Sequence, residues 1–488
     1  MNILFVQSLG DIQSPAKPLQ TYQQIQFGIS YISSVLKKNG HNTRLVILNK
    51  RAGRRSKNII NENLKKFRPK LICFTAVATE YDFIAGMARY VKNSFPNIYL
   101  LIGGPHAALN PQEVISDSFD ALCIGEGEYP TTELVAQLET GAIPSGIANL
   151  WIKHGSEIEK NPARPFIQNL DSLPFPDREM WVEWIEDGAA VKNSVLISRG
   201  CPFACTYCCN HALRKLADGD YVRFRTVGNI IEEIKQIITR FPATKQLFLE
   251  AETIGLNKPW AIELCRELER LNAVLQQPLS FGANIRITPG DNLEELFAAF
   301  KKSNFQFINI GVESGSERVR REILKRNYSN EDIINAVTTA RKYGLKTAFF
   351  NMVGLPGETI KDFKETVKIN RRCRPDWHYT SIFFPYPGTE LYSLCKGRGL
   401  LKGQLDSTME RKKAALDLPD FPKKQIQKSY IWFDYYVYRG LKPNYKIFAS
   451  VIRSKFASKN YLNSLYRKIT SLSLFRTAKQ ALKGLPLI

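Results

Sequence analysis

Eleven short apolar runs, alternating with stretches of helical spacing, constrain this 488-residue chain more than any other feature. Five lie at 3–6, 44–48, 71–75, 98–102 and 121–124. Between them apolar residues recur every three or four positions, as at Ile29, Ile32, Val35 and Leu36 within 25–38, and again over 82–93 and 131–138. Six more lie at 194–198, 246–250, 279–283, 307–312, 347–352 and 379–383. Helical stretches fall near 228–239, 261–271, 293–300, 331–343 and 360–371. Strands joined through helices build parallel sheets, because a parallel connection must cross over the sheet. The expected fold class is therefore α/β. A doubly wound parallel sheet occupies 1–140, and a partial (β/α)6 barrel occupies 191–395.

Residues 141–190 are rich in Pro, Gly and polar side chains. The string Leu173-Pro174-Phe175-Pro176-Asp177-Arg178 suits neither a regular helix nor a central strand. An ordered linker draped over the next domain is expected there. From 396 the alternation stops, and 396–488 is expected to be helical and basic. No window of 18 or more apolar residues occurs, so no bilayer span is expected. Met1-Asn2-Ile3-Leu4-Phe5-Val6 lacks the basic start and long apolar stretch of a signal peptide. Nine cysteines, an odd number with three clustered, do not read as a disulfide framework. A reducing, cytoplasmic compartment is the expectation.

Ligands of parallel βα folds sit beyond the carboxyl ends of the strands. The unusual residues of this sequence collect there. Gly103-Gly104-Pro105-His106 follows the fourth run, and Gly125-Glu126-Gly127-Glu128 the fifth. These glycines lack the Gly-x-Gly-x-x-Gly spacing of a dinucleotide site, which argues against NAD. In the second series Glu250 and Glu252 close the second run, and Asn284 and Arg286 the third. Glu313-Ser314-Gly315-Ser316 follows the fourth, Gly354-Leu355-Pro356-Gly357-Glu358 the fifth, and Phe384-Pro385-Tyr386-Pro387-Gly388-Thr389-Glu390 the sixth. After the first comes Cys201-Pro202-Phe203-Ala204-Cys205-Thr206-Tyr207-Cys208. Three thiols on one loop can converge on one centre. Iron–sulfur clusters usually take four thiolates, so a four-iron cluster held by three keeps one iron open. The competing reading is a zinc site completed by Cys209 or His211. Cys209 is assigned to packing, pointing away from Cys208, and His106 to shaping its turn.

The Cys-x3-Cys-x2-Cys spacing, with aromatic Tyr207 before the third Cys, resembles the signature of the radical S-adenosylmethionine (radical SAM) enzymes. The resemblance covers about 1–395. Gln26-Phe27-Gly28-Ile29-Ser30-Tyr31-Ile32, 36–41, 101–107 and 124–128 resemble the cobalamin-binding domain that precedes many radical SAM domains. The Leu-Pro-Phe-Pro-Asp string, 311–316, 354–359 and 386–392 resemble the same family. The resemblance implies a [4Fe-4S] cluster on Cys201, Cys205 and Cys208, with S-adenosylmethionine on the open iron. Tyr207, Glu250, Arg286, Glu313, Ser314, Gly354 and Gly357 are then the expected contacts of that cofactor. Arg286 would pair its carboxylate, Glu313 its amine or ribose, and the two glycines would admit main chain to the adenine edge. Thr75, Gly103, Gly104, Gly125, Glu126 and Gly127 are the corresponding contacts for cobalamin. The chain departs from the Asp-x-His-x-x-Gly motif of other cobalamin proteins, since only Gln7-Ser8-Leu9-Gly10-Asp11 follows the first run. Cobalt is thus expected to have no histidine beneath it.

The reaction that the resemblance implies is methyl transfer to an unactivated carbon. One S-adenosylmethionine methylates cobalamin, a second yields the 5′-deoxyadenosyl radical, and a flavodoxin- or ferredoxin-type protein supplies the electron. Alternatives within the family are ring closure, rearrangement or oxidation without methyl transfer. A non-catalytic metal-binding or redox-sensing protein is the alternative from another class; the glycine-rich strand ends weigh against it.

The net charge is +22, from 68 Lys and Arg against 46 Asp and Glu, which favours anionic partners. After Asp434 no acidic residue occurs, and 441–488 hold ten Lys or Arg. Ile447, Val451, Ile452, Phe456, Leu462, Leu465 and Tyr466 recur between them at roughly helical spacing. These are basic amphipathic helices, either a cap over the barrel or a contact with anionic membrane. Membrane contact would favour a lipid-like substrate among the small molecules open to such an enzyme; a cap would give no such preference. No nucleic-acid module is recognised, so nucleic acid ranks behind them.

Overall fold

The computed structural model describes residues 1–10, 17–186, 191–401, 403 and 405–458. Its first sheet has seven strands: β1 (Asn2–Ser8), β2 (Asn42–Leu48), β3 (Leu71–Thr75), β4 (Tyr99–Gly103), β5 (Ala121–Cys123), β6 (Leu150–His154) and β7 (Glu157–Lys160). They lie in the order β2-β1-β3-β4-β5-β6-β7. The first five pair in parallel, as expected. The order reverses at β1, between β2 and β3, which opens a crevice beyond their carboxyl ends. One face buries Leu4, Val6, Val46, Ile72, Phe74 and Ile102 beneath Ile60 and Leu64 of helix Arg54–Phe67 and Ile84, Ala88 and Val91 of helix Tyr81–Ser94. The helix Phe27–Lys38 buries Tyr31 and Val35 with Ile167 and Leu173 in a separate cluster.

The hairpin of β6 and β7 lies where a strandless linker is expected, and it extends the sheet antiparallel. It is hidden in the sequence because Lys153, His154, Glu157 and Glu159 break the apolar pattern, and Ile158 is itself exposed. The Pro-rich string is ordered, as expected, but it is tied in both directions. Asp177 accepts from Ser33 Oγ at 2.6 Å, and Trp181 Nε1 donates to Ser30 Oγ at 2.8 Å, both on helix Phe27–Lys38. Arg178 Nη2 donates to the Ser194 carbonyl at 2.8 Å.

The second series begins with β8 (Lys192–Leu196). A two-stranded ribbon follows, β9 (Ser198–Arg199) with β10 (Arg223–Phe224). Then come β11 (Gln246–Glu250), β12 (Ser280–Ile285), β13 (Phe305–Glu313), β14 (Lys346–Val353) and β15 (Trp377–Ile382). The six-stranded sheet runs β15-β14-β13-β12-β11-β8, in chain order, as a partial (β/α)6 barrel does.

The chain divides into two compact units. The first comprises Met1–Ile310, Asn335–Thr347 and Tyr386–Leu394. The second comprises Gly311–Ile334, Ala348–Pro385 and the chain from Cys395 on. Within the second, helices Lys423–Ile431, Phe433–Tyr438 and Asn444–Ala457 bear out the helical C-terminal expectation. His378 Nε2 on β15 lies 2.6 Å from Asp434 Oδ1, and Arg371 Nη1 donates to the Val437 carbonyl at 2.8 Å. Leu462, Leu465 and Tyr466 of the expected basic tail lie outside the described residues.

Candidate functional site

In the first unit the chain leaves β9 through Gly200, whose φ is +87°. A Cβ there would collide with the Tyr221 carbonyl, so only glycine can pass. The loop that follows carries the three predicted thiols. Cys205 is buried, Cys201 and Cys208 are half-buried, and none is in a disulfide. The Cys208 N–H donates to the Cys205 carbonyl at 3.0 Å, closing a turn. Arg286, at the end of β12, places Nη1 2.8 Å from Cys205 Sγ, with its guanidinium 3.7 Å from the Phe203 ring centre. Arg286, expected from the sequence to pair a ligand carboxylate, is instead drawn against Cys205 here. Burial pushes the Cys201 thiol up to about 11.

Cys209 differs from its expectation. Its thiol hydrogen-bonds Cys208, and this bond lowers the Cys208 thiol below its ordinary range while pushing Cys209 up. The reason is local: Cys209 has helical φ and ψ as cap of the helix Asn210–Leu213. Successive side chains on a helical turn are about 100° apart rather than on opposite faces. Asn210 adds its backbone N–H and Nδ2 to Cys208 Sγ at 3.5 and 3.7 Å. His211 turns Nδ1 to the Cys208 carbonyl at 2.8 Å. Among the described residues no three His, Cys, Asp or Glu side chains are gathered as a metal site. The donor set is three thiols within eight residues of one loop, beside a cation. The three loop thiols are not drawn together as a formed metal site, so the fit to the cluster that the sequence implies lies in the donor chemistry alone.

Glu250 closes β11, and burial, then Glu252, raises its carboxyl to about 7. Asn284 donates to the Ala251 carbonyl at 3.1 Å and accepts from Asn309 at 3.1 Å. Tyr207 is half-buried between Thr206 and Cys208.

In the second unit the predicted residues serve the fold more than expected. Ser314 is fully buried, its Oγ 3.4 Å from Thr366 Oγ1 and accepting from the Ser316 N–H at 3.2 Å. It is not presented to a ligand by its side chain. Glu313, at φ +62°, lies 3.6 Å from Arg326 Nη1. Gly354 and Gly357 both have φ +83°. A Cβ on Gly354 would stand 2.8 Å from Ile426 Cγ2, and its N–H is taken by Oε2 of the Glu358 carboxyl at 2.5 Å. The turn itself therefore demands that glycine.

At the rim of the first sheet, Gly104 has φ +99°, and a Cβ would meet Thr75 Oγ1 and the Ala76 carbonyl, each at 2.9 Å. Gly127 would meet Ile32 Cδ1 at 2.7 Å, while Gly103 and Gly125 have more room. Val77 and Tyr129 are exposed at this rim. His106 is buried against Tyr81, ring centres 4.4 Å apart. Its Nε2 has no hydrogen-bond partner, with Glu113 3.9 Å away, and burial lowers it to about 4. Close glycine turns beside exposed apolar side chains fit a large macrocycle with an apolar face.

Glu126 is the clear correction at this rim. Instead of facing a ligand it lies 2.8 Å from Arg199 Nη1 and 2.9 Å from Arg223 Nη1, and accepts from the Ile167 N–H at 2.7 Å. Sequence reasoning missed both arginines. Their only signal is that Arg199 stands two positions before Cys201.

Comparison with known proteins agrees with this geometry. Residues 195–369 match the family model of the radical SAM superfamily, and 21–135 that of the B12 binding domain. An uncharacterized methyltransferase of Pyrococcus horikoshii is 29% identical over 82% of this chain and 85% of its own length. The anaerobic magnesium-protoporphyrin IX monomethyl ester cyclase of Cereibacter sphaeroides is 24% identical over 75% of this chain and 59% of its own length. Among solved structures, the radical S-adenosylmethionine methyltransferase TsrM of Kitasatospora setae superposes with a TM-score of 0.63 at 16% identity. It covers 83% of this chain and 77% of that one.

Proposed function

We propose that this chain, which belongs to the radical SAM enzymes with a B12-binding domain, is a C-methyltransferase acting on an unactivated carbon of a small-molecule or lipid-like substrate. One observation carries the reading. A single compact unit, through Met1–Ile310, holds both the glycine-turned rim of the B12-binding domain and the three-thiol loop. When bound, the cluster with S-adenosylmethionine supplies a radical initiator, and cobalamin supplies a methyl carrier.

The chain's own residues position and protect. Cys201, Cys205 and Cys208 would hold the cluster. Arg286, fixed over Phe203, offers a cation beside it. Glu250, raised to about 7 by burial and then Glu252, is poised at a strand end to gain or lose a proton near neutral pH. Thr75, Gly103, Gly104, Gly125 and Gly127 would shape the cobalamin side. A flavodoxin- or ferredoxin-type donor supplies electrons, and the basic C-terminal helices contact anionic membrane. The similarity to the cyclase favours one second reading, ring closure without methyl transfer.

The test is product analysis with methyl-labelled S-adenosylmethionine and candidate extracts. Label in a product supports methyl transfer, and Cys205→Ala protein should lose both iron and label. Deoxyadenosine formed without labelled product would favour the cyclase-type reading.

A further inference from the structure

Arg199 and Arg223 are register partners on the β9–β10 ribbon. Like charges directly opposite on an antiparallel pair repel. Here a carboxylate stands between them. Glu126 Oε1 is 2.8 Å from Arg199 Nη1 and 3.0 Å from Arg223 Nη1, and its Oε2 is 2.9 Å from Arg223 Nη1. Arg199 Nη2 reaches a second carboxylate, Glu128 Oε1, at 2.6 Å. Two guanidinia and two carboxylates sum to zero charge, which four such buried groups require. Side-chain exposures are only 15% for Arg199, 17% for Glu126, 3% for Glu128 and 5% for Arg223. Flat apolar surfaces complete the seat. Arg199 lies 4.9 Å from the Tyr31 ring centre, and Arg223 lies 5.1 Å from that of Phe166.

The place of this network matters more than its strength. Glu126 sits between the two glycines on the rim of the B12-binding domain, and Arg199 is separated from the first cluster cysteine only by Gly200, itself pinned beneath Tyr221. Arg199 bridges Glu126 and Glu128 through its two Nη groups, and Arg223 holds both Glu126 oxygens through one, so the contacts limit orientation as well as distance. Burial alone would raise the Glu126 carboxyl, but Arg199 and Arg223 outweigh it and hold it below the ordinary range. Glu126 therefore stays ionised at neutral pH.

We propose that Glu126, Glu128, Arg199 and Arg223 are positioning residues, a charge-neutral latch that sets the separation of the cobalamin rim from the base of the cluster loop. The proposal rests on the assignment of the two cofactors to this chain, and not on what product is made. Group transfer between two bound cofactors is steeply sensitive to misplacement. A loosened latch should leave both cofactors bound while uncoupling radical formation from product.

The test uses holoenzyme with reduced cluster and cob(II)alamin. The relaxation enhancement that the cluster imposes on the cob(II)alamin spin reads their separation directly. Glu126→Gln and the conservative Arg199→Lys are compared with the native chain and with Arg240→Ala, which breaks an exposed pair to Glu179. Both latch variants should load iron and cobalamin yet show an altered, broadened enhancement. Deoxyadenosine formed per product should rise at least threefold, with Arg240→Ala unchanged. A native enhancement in loaded Arg199→Lys overturns the proposal. Loss of fold or of cofactors in both variants also overturns it, because the network would then be a stability element. A native enzyme that transfers no methyl label sinks the methyltransferase reading but leaves the enhancement measurable.

Discussion

Glu358 shows how one residue can be read from sequence for the wrong purpose. Its place after Gly354-Leu355-Pro356-Gly357 suggests a ligand turn, yet its Oε2 accepts the N–H groups of Gly354 and Leu355 at 2.5 and 3.0 Å. Its Oε1 is buried without a partner. Burial is the largest influence and raises the carboxyl to about 8 from an ordinary 4.5. Folding therefore favours the protonated form. The contribution of this group to stability is complete below about pH 4.5 and is lost as pH rises through about 8. Glu358→Gln keeps the carbonyl acceptor and removes the titration. The variant should melt close to the native chain at about pH 5 and several °C above it at about pH 9. Parallel melting curves across that range would refute the assignment. Asp362 works at the opposite end. Burial alone would raise it, but Arg318, Ser316 and Thr359 hold it at about 2, so its contribution is present above about pH 3.8 and lost as pH falls through about 2.

Among elements, the turn between β4 and the helix Pro105–Leu109 depends most on one residue. Gly104→Val would force a branched side chain onto φ +99° and against the end of β3. Cobalamin affinity should fall at least tenfold, whereas Gly28→Ala, on the helix Phe27–Lys38 with nothing within 4 Å, should leave it unchanged. Equal affinities in an equilibrium titration would show that this turn does not shape the site. The strand–helix order of both sheets was legible because buried parallel strands are continuous apolar runs; β11 spans the expected 246–250, and the ends of its neighbours differ by one or two positions. Helix Arg54–Phe67 and the β6–β7 hairpin were not legible, since each buries few apolar side chains. The cysteine loop was legible because its chemistry is written in consecutive residues. The role of Glu126 was not, because its partner Arg199 is 73 positions away and only the fold brings them together. Ser314 was misread for the opposite reason: a polar residue after a strand can as well cap the interior, as its contact with Thr366 does.

For the whole molecule, the excess of positive charge is the property no single site uses. Part of it gathers on the helix Asn444–Ala457, which carries Lys446, Arg453 and Lys455 and no acidic residue. Ile447 and Val451 are buried, so this side packs inward as a cap would. Tyr445, Phe448 and Ile452 are exposed by 71%, 43% and 52% and recur at helical spacing, a second apolar stripe that faces outward. No helix among the described residues is long and apolar enough to cross a membrane. A stripe of this kind with flanking cations suits the surface of an anionic bilayer, where each Lys or Arg contributes about 1 kcal/mol. The expected outcome is weak, reversible sedimentation of the full chain with liposomes rich in phosphatidylserine. Because the attraction is screened over about 10 Å at 0.1 M salt, bound protein should fall as salt rises. Replacing Tyr445 and Ile452 together by Ser leaves the charge, the inward side and the contacts of Phe448 with Trp432 and Tyr435 intact, and should reduce binding severalfold at low salt. If the substituted chain binds as well as the native one, the apolar stripe inserts into nothing and the attraction is charge alone. If neither binds, the helix is a cap whose outer face is simply solvated, and the preference for a lipid-like substrate loses its physical support.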